Sequence, residues 1–257
     1  MKQLKYSEDH WAMINDPQKS HETYIDMHGS IYNQVKNDMI KRMLGGNLRD
    51  KTVLDFGCGG GLFSIYFAKK GAKVIGIDAS EQALNAARYY AEKEGVARQC
   101  SFYLDSELPV DEEYDIILAK DIIEHIHDDE GFIKTLSACL KGNGKLLIST
   151  QSSWSLNYLL EGSYNYLWEK NPTWCGWDST HLRFYTPHGL RRIVGKHGLR
   201  IREWSSVYII PYDIFSWLFL LKKKVCINVF QYIDRWFGSI YPLNRLGWNI
   251  IILCEKI

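Results

Sequence analysis

An excess of charge of either sign is missing from these 257 residues. Lys+Arg 31 against Asp+Glu 30 leave a net charge of +1, which is no electrostatic footprint for a nucleic-acid partner. Paired cysteines are missing as well. Cys58, Cys100, Cys139, Cys175, Cys226 and Cys254 include no C-x-x-C pair, which argues against a zinc knuckle or a disulfide framework and fits a reducing compartment. No apolar run reaches the roughly 20 residues of a membrane-spanning helix, and residues 1–9 lack the apolar core of a signal peptide. Internal repeats and low-complexity linkers are absent. The length suits one large domain, or one with an insertion, and the expected location is the cytoplasm.

The most informative stretch that is present is Val53-Leu54-Asp55-Phe56-Gly57-Cys58-Gly59-Gly60-Gly61. Thr52 to Phe56 predict a short buried strand, and Leu62 to Lys70 a helix. Between them Gly57, Gly59 and Gly61 carry no Cβ, so the backbone can bend sharply and a ligand can approach closely. Such a turn sits at the carboxyl end of a strand, where open α/β sheets bind ligands. A second apolar strand, Lys73-Val74-Ile75-Gly76-Ile77-Asp78, ends in an acid about 20 residues after the glycines, where a carboxylate would receive ribose hydroxyls. Ser80 is the better cap for the helix that follows, with Glu81 just inside it.

A dinucleotide turn wants a small residue where this chain has Leu62, and no Lys-Ser/Thr pair is present for a triphosphate loop. The block Val53 to Gly61, with Gly76-Ile77-Asp78 downstream, resembles the class I S-adenosylmethionine-dependent methyltransferases. The resemblance implies a Rossmann-like, doubly wound α/β sheet of seven strands, mostly parallel with an antiparallel last strand. It places the glycine turn against the methionine part of the cofactor and Asp78 on the ribose. Asp55, Gly57, Cys58, Gly59, Gly61, Asp78, Ala79, Asp105, Ser106 and Lys120 are thereby the expected cofactor residues, with Asp105 and the backbone near Ser106 toward the adenine.

The first two-thirds of the chain alternates accordingly. A helix over Ser80 to Glu94 stops at Gly95. Strands are predicted at 101–104, 114–119 and 145–149, with Gly142-Asn143-Gly144 as the turn before the last. After the fourth strand comes Lys120-Asp121-Ile122-Ile123-Glu124-His125. If a helix begins there, Asp121, Glu124 and His125 fall at i, i+3 and i+4 and share a face. Two carboxylates and an imidazole so placed bind a divalent metal or act as a general base. The block resembles the acidic-x-x-Glu-His segment of the ubiquinone-biosynthesis O-methyltransferases, some of which imply a metal on Asp121, Glu124 and His125. Glu-His at this point is also widespread in class I methyltransferases that use no metal, where it shapes the pocket.

Asp178 to Pro187 resembles a second segment of that group, with Thr186 as N-cap, Pro187 as first helical residue and His181 leading over the active site. His125 and His181 are therefore the candidate catalytic residues, each with a structural role as the competing reading. The sulfonium is already an activated methyl donor, so alignment of the acceptor dominates. A hydroxyl acceptor also benefits from a histidine that takes its proton.

Three regions exceed a minimal fold. Residues 1–46, with Trp11, Tyr24 and Tyr32, read as a helical cap over the 47–257 methyltransferase domain. An aromatic connection, about 152–180, carries Trp154, Tyr158, Tyr164, Tyr166, Trp168, Trp174 and Trp177 and suits a lid or acceptor wall. An apolar helical insertion, about 211–240, contains Lys222-Lys223-Lys224. Membrane interface, homodimer contact and burial on the sheet edge are its three readings for 211–237. The chain reads as a methyltransferase producing S-adenosylhomocysteine, O-methylating a small or lipid-like acceptor such as a quinol precursor, glycan or secondary metabolite. A NAD(P)-dependent oxidoreductase and a non-catalytic cofactor-binding module are the alternatives.

Overall fold

Residues 10–108, 112–172, 174, 176, 178, 180–211 and 231–257 are described by a computed structural model. Seven strands form one sheet in the order β3-β2-β1-β4-β5-β7-β6. They are β1 (Thr52–Phe56), β2 (Lys73–Asp78), β3 (Cys100–Leu104), β4 (Tyr114–Lys120), β5 (Leu140–Gln151), β6 (Leu199–Val207) and β7 (Asn249–Lys256). β1 to β5 pair in parallel, and β7 runs antiparallel to both β5 and β6. The chain leaves β1 toward β3 on one side and returns through β4 on the other. That reversal opens a crevice at the carboxyl ends of β1 and β4.

The two-residue period of the strands divides the core between the faces. Leu118, Leu147, Ile251 and Leu253 pack with Phe63, Phe67 and Leu84. Those belong to α3 (Leu62–Lys69) and α4 (Glu81–Lys93), and Met39 and Ile40 of α2 (Ile31–Leu44) join them. Ile117, Ile148, Ile250 and Ile252 pack on the other face with Ile133, Leu136, Leu190 and Val194 of α5 (Asp129–Ala138) and α7 (Pro187–Lys196). Each buried Leu or Ile contributes about 1.5–3 kcal/mol.

Helix starts follow their caps. Asp16 accepts from Lys19 N at the head of α1 (Pro17–His28), Ser80 from Ala83 N, Asp128 from Gly131 N, and Thr186 from Gly189 N. The expected caps at Ser80 and Thr186 are thus in place, the latter with Pro187 in the first turn.

Some boundaries differ from the sequence reading. β5 begins at Leu140, so Gly142 to Gly144 lie within it, beside an irregular register at Tyr114/Ile116. No helix starts at Asp121: a tight turn covers Ile123–His125, and α5 waits for Asp128. The aromatic connection folds partly into a wide helical turn, Tyr158–Gly162, and α6 (Ser163–Leu167). Of the expected insertion, 212–230 lie outside the described residues, and 231–237 are helical.

Candidate functional site

Gly57, Gly59 and Gly61 adopt φ of 74°, 53° and 86°, left-handed values that side chains rarely tolerate. The turn is tied to β2: Gly57 N and Cys58 N donate to Ile77 O at 2.7 and 2.9 Å, and Gly59 N donates to Asp78 Oδ2 at 2.8 Å. Ser80 N donates to Asp78 Oδ1 at 3.0 Å. Burial raises the Asp78 carboxyl, opposed by bonds from the N–H groups of Ser80, Gly59 and Ala79. A carboxylate so oriented keeps lone pairs for ligand hydroxyls.

Asp55 is buried beneath the turn and accepts from Ser64 Oγ at 2.6 Å. Burial pushes it up to about 6. The Cys58 thiol is also buried and raised well above its usual range, so it is packing rather than a nucleophile. Asp105 and Ser106 form a tight turn directly after β3. α3 starts at Gly61 without a side-chain cap, which leaves the N–H groups of its first turn for other partners.

The cap rests on this turn. A Cβ on Gly59 would lie 2.9 Å from the Tyr24 ring and 3.1 Å from Trp11, and one on Gly60 2.7 Å from Tyr24. The two rings meet edge to face at 4.7 Å. Burial raises the Tyr24 phenol, followed by Asp55, Cys58 and Asp78, against a hydrogen bond from Leu62 N–H. The glycines therefore admit aromatic rings as closely as they would admit a ligand.

Beyond β4 the expected trio divides. Asp121 takes φ 56°, a left-handed position that Asp tolerates. Its N–H donates to Ser149 O, and Ser149 Oγ donates to its Oδ1 at 2.7 Å. Its Oδ2 pairs with Lys36 Nζ at 2.5 Å and Lys120 Nζ at 3.3 Å. Burial alone would raise this carboxyl; Lys36 and Lys120 outweigh burial and hold it far below the usual range.

Glu124 instead bonds Thr150, the neighbour of Ser149 on the other face of β5, whose Oγ1 donates to Oε2 at 2.8 Å. Glu124 is fully buried and its Oε1 has no partner. Burial, then Asp121, push it up to about 8. The set Asp121, Glu124, His125 consequently does not fit one metal ion, because Asp121 and Glu124 are anchored to opposite faces of β5. Among the described residues the group whose ligating atoms lie within 4.8 Å of one another is Glu124, His125 and His181.

His125 and His181, 56 positions apart, bring their ring centroids to 4.7 Å. Thr180 Oγ1 donates to Asp178 Oδ1 at 2.5 Å and lies 3.0 Å from His125 Nδ1; Thr180 O is 3.3 Å from that nitrogen. Both neighbours of Nδ1 call for a donor, so the proton resides on Nδ1 and Nε2 keeps its lone pair. Burial, then His181, lower the His125 pKa. The ring is neutral at pH 7. His181 Nε2 lies 3.8 Å from Asp178 Oδ2.

The aromatic connection contributes selectively. Tyr158, Trp174 and Phe184 pack with Tyr208 and Trp248, whereas Trp154, Tyr164, Tyr166 and Trp168 are exposed. Trp177 lies outside the described residues. A cavity of about 430 Å³, lined among others by Trp154, Leu156, Leu159, Ile209 and Leu246, opens beside this cluster. Lys36 was not foreseen from sequence: it is 3% exposed in α2 and meets Asp121 across 85 positions. A lysine on an ordinary helix gives no sequence signal for such a contact.

A model of the methyltransferase domain family matches residues 29–203. The ubiquinone biosynthesis O-methyltransferase of Aeromonas salmonicida (strain A449) is 32% identical over 200 residues, 76% of this chain and 81% of that protein. The protein of that name from Coxiella burnetii (strain RSA 331 / Henzerling II) is 31% identical over 189 residues, 70% of this chain and 76% of its own. Among solved structures, magnesium protoporphyrin IX methyltransferase from Synechocystis PCC 6803 with bound SAH superposes with a TM-score of 0.61 at 18% identity, over 95% of this chain and 96% of that chain. The [4+2]-cyclase SpnF gives 0.58 at 15% identity, over 93% and 96%. The structural likenesses speak for the fold; the match of family and relatives sets the oxidoreductase reading aside. With a glycine turn, an acid after β2 and a pair of histidines brought together after β4, this chain belongs to the methyltransferase domain family and is an S-adenosylmethionine-dependent methyltransferase.

Proposed function

We propose that the enzyme transfers the methyl group to a hydroxyl oxygen of a small, ring-bearing acceptor with an apolar portion. The observation that carries this reading is the His125 ring, neutral and fixed with its proton on Nδ1 by Thr180. As the acceptor oxygen bonds to the methyl carbon, the S–CH3 bond breaks and its electron pair stays on sulfur, giving S-adenosylhomocysteine. The hydroxyl proton passes to His125 Nε2. His181, packed on that ring, lines the same crevice and orients the acceptor. An amine acceptor has less need of such a base.

In this reading Asp78 takes the ribose hydroxyls, Asp105 and the backbone at Ser106 the adenine, and the turn from Gly57 to Gly61 the methionine portion. Asp55 and Cys58 support the turn from below. Lys120, at the end of β4, offers a positive charge suited to the methionine carboxylate. Trp11 and Tyr24 close residues 10–46 over the turn as a cap. The relatives named as ubiquinone biosynthesis O-methyltransferases support oxygen as the acceptor atom and a lipid-like molecule as the acceptor class. The apolar cavity beside Trp154 suits its apolar portion.

Transfer of labelled methyl from S-adenosylmethionine to catechol, with aniline and a sugar as controls, tests the reading. Label in catechol that disappears in His125→Ala supports it. Transfer to aniline alone would refute oxygen as acceptor, and no transfer to any of the three with intact S-adenosylhomocysteine binding would place the acceptor outside these classes.

A membrane interface is the second part of the proposal. Trp236 and Tyr241 are 73% and 77% exposed, and aromatic side chains with a polar edge favour such interfaces. Among the described residues no helix is long and apolar enough to cross a membrane. Flotation with anionic liposomes is expected for the full chain, and a homodimer that stays in the lipid-free fraction counts against the interface.

A further inference from the structure

Two histidines of α1 stand where a positive charge is hard to place. His21 is 5% exposed. Its ring lies 4.2 Å from the ring of Tyr90 and 6.0 Å from that of Tyr89, both on α4, and its Nδ1 has no hydrogen-bond partner. The charged groups facing it are Lys93 and Glu94 from the end of α4 and Glu22 from α1. Burial, then Lys93, lower its pKa against the two acids. Glu94 is paired with Lys69, and Glu22 accepts from Gln18, so both carboxylates have other partners. An imidazolium here is a buried charge with an N–H that lacks an acceptor.

His28 closes the same helix. It stacks on Tyr24 at 4.1 Å, and its Nδ1 donates to Tyr24 O at 2.9 Å, so a further proton goes to Nε2. Lys120 of β4, Lys36 of α2 and Asp121 face it. Asp121 already pairs with both lysines, which makes a charged His28 the third cation around one carboxylate. Burial, then Lys120, push it down to about 3.

His21, Tyr24 and His28 fall at i, i+3 and i+7 and share one face of α1. The middle member of that face is the ring seated on Gly59 and Gly60. Ser20 Oγ donates to Trp11 O and Ser80 Oγ to Ala12 O, each at 2.7 Å, so the segment before α1 is tied to the same place. Whatever lifts this face off α4 and β4 therefore lifts Tyr24 from the turn.

We infer that α1 is a proton-sensitive latch, held on α4 and at the end of β4 by two uncharged imidazoles and released from the glycine turn when His21 and His28 each take a proton. The inference rests on the reading of residues 10–46 as a cap over the cofactor turn, and goes beyond it in making retention of the cofactor depend on pH. The sign follows from linkage. A released α1 binds these protons near 6.5, the docked one only at lower pH, so docking is complete above that value and is lost as pH falls through it.

Hydrogen exchange of the α1 amides on the full chain, read as protection factors so that the intrinsic rate divides out, measures the opening directly. From pH 7.5 to 5.5 the opening constant is expected to rise about tenfold through His28 and up to about tenfold more through His21. His21→Phe keeps a ring against Tyr90 and gives up no bond at Nδ1; it is expected to retain only the His28 share. His21→Phe with His28→Phe is expected to be flat. Protection that is unchanged in wild type between the two pH values overturns the inference, as does protection that rises on acidification, the result of a cation–π contact with Tyr90. A fall that is as steep in His21→Phe as in wild type removes His21 from the latch, and this single variant decides should the double variant fail to fold. S-adenosylhomocysteine affinity by calorimetry at the same two pH values is the second arm. It is expected to weaken more in wild type than in the double variant; Asp55 titrates in both and cancels. Opening of α1 without any such difference in affinity would strike the cap reading and leave the latch standing.

Discussion

Asp78 is engaged from two sides by backbone N–H groups, from Gly59 and from Ser80, so the carboxylate is aimed before any ligand arrives. Pre-orientation of this kind lowers the cost of binding. Asp78→Ala removes a charged acceptor and is expected to weaken S-adenosylhomocysteine binding by roughly 10- to 100-fold, from the 1.5–3 kcal/mol of a charged hydrogen bond; calorimetry reads it directly. In the proposed reading His125 is the second residue on which the chemistry turns. His125→Ala is expected to lower kcat about 10²–10⁴-fold with cofactor affinity held. In the wild type kcat/KM rises with pH along a limb centred below 6.5, because burial and His181 depress that ring. Steady-state profiles in which this limb survives in His125→Ala would assign the proton to another group.

At the scale of elements, the stretch 231–237 is pinned to the loop after β6 by one side chain. Asp234 is 1% exposed and accepts from Tyr208 N at 2.8 Å and Ile209 N at 3.0 Å. Burial pushes it up to about 7 against those two bonds. The unfolded chain releases this proton near 3.8 and the folded chain near 7. Between those values the folded state holds more protons, so stability falls as pH rises across the window. Asp234→Asn keeps an acceptor oxygen and removes the titration. Its urea-unfolding free energy is expected to be flatter between pH 4 and 7 than that of wild type. An unchanged slope would mean that other carboxylates carry the effect. The Thr186 cap has a simpler consequence: Thr186→Ala is expected to cost about 1 kcal/mol, visible as a lower urea midpoint, since Thr186 Oγ1 accepts from Gly189 N at 2.9 Å.

For the whole molecule, the division of Asp121 and Glu124 between the faces of β5 bears on metal dependence. Lys36 of the cap holds the first and Thr150 of the sheet holds the second. Methyl transfer is accordingly expected to continue after dialysis against EDTA, and a loss restored by Mg2+ or Zn2+ would place an ion on Glu124, His125 and His181. The glycine turn, Asp78, the caps at Ser80 and Thr186 and the strand alternation were all legible in sequence, because each follows from local backbone freedom or a two-residue period. The helix expected at Asp121 was not, because the i, i+3, i+4 spacing ignores the left-handed residue that the Ser149 bonds stabilise. What the sequence by itself determined was the glycine turn and the acid after β2, which lie within about 20 residues of each other and need only a strand, a turn and an acid. What the tertiary structure alone decided was the set of long-range contacts around that turn. The pairing of His125 with His181, the seating of Tyr24 and Trp11 on the glycines, and the Lys36–Asp121 bond join residues far apart in the chain. No local spacing encodes such meetings, since they arise from how the faces of the sheet are covered.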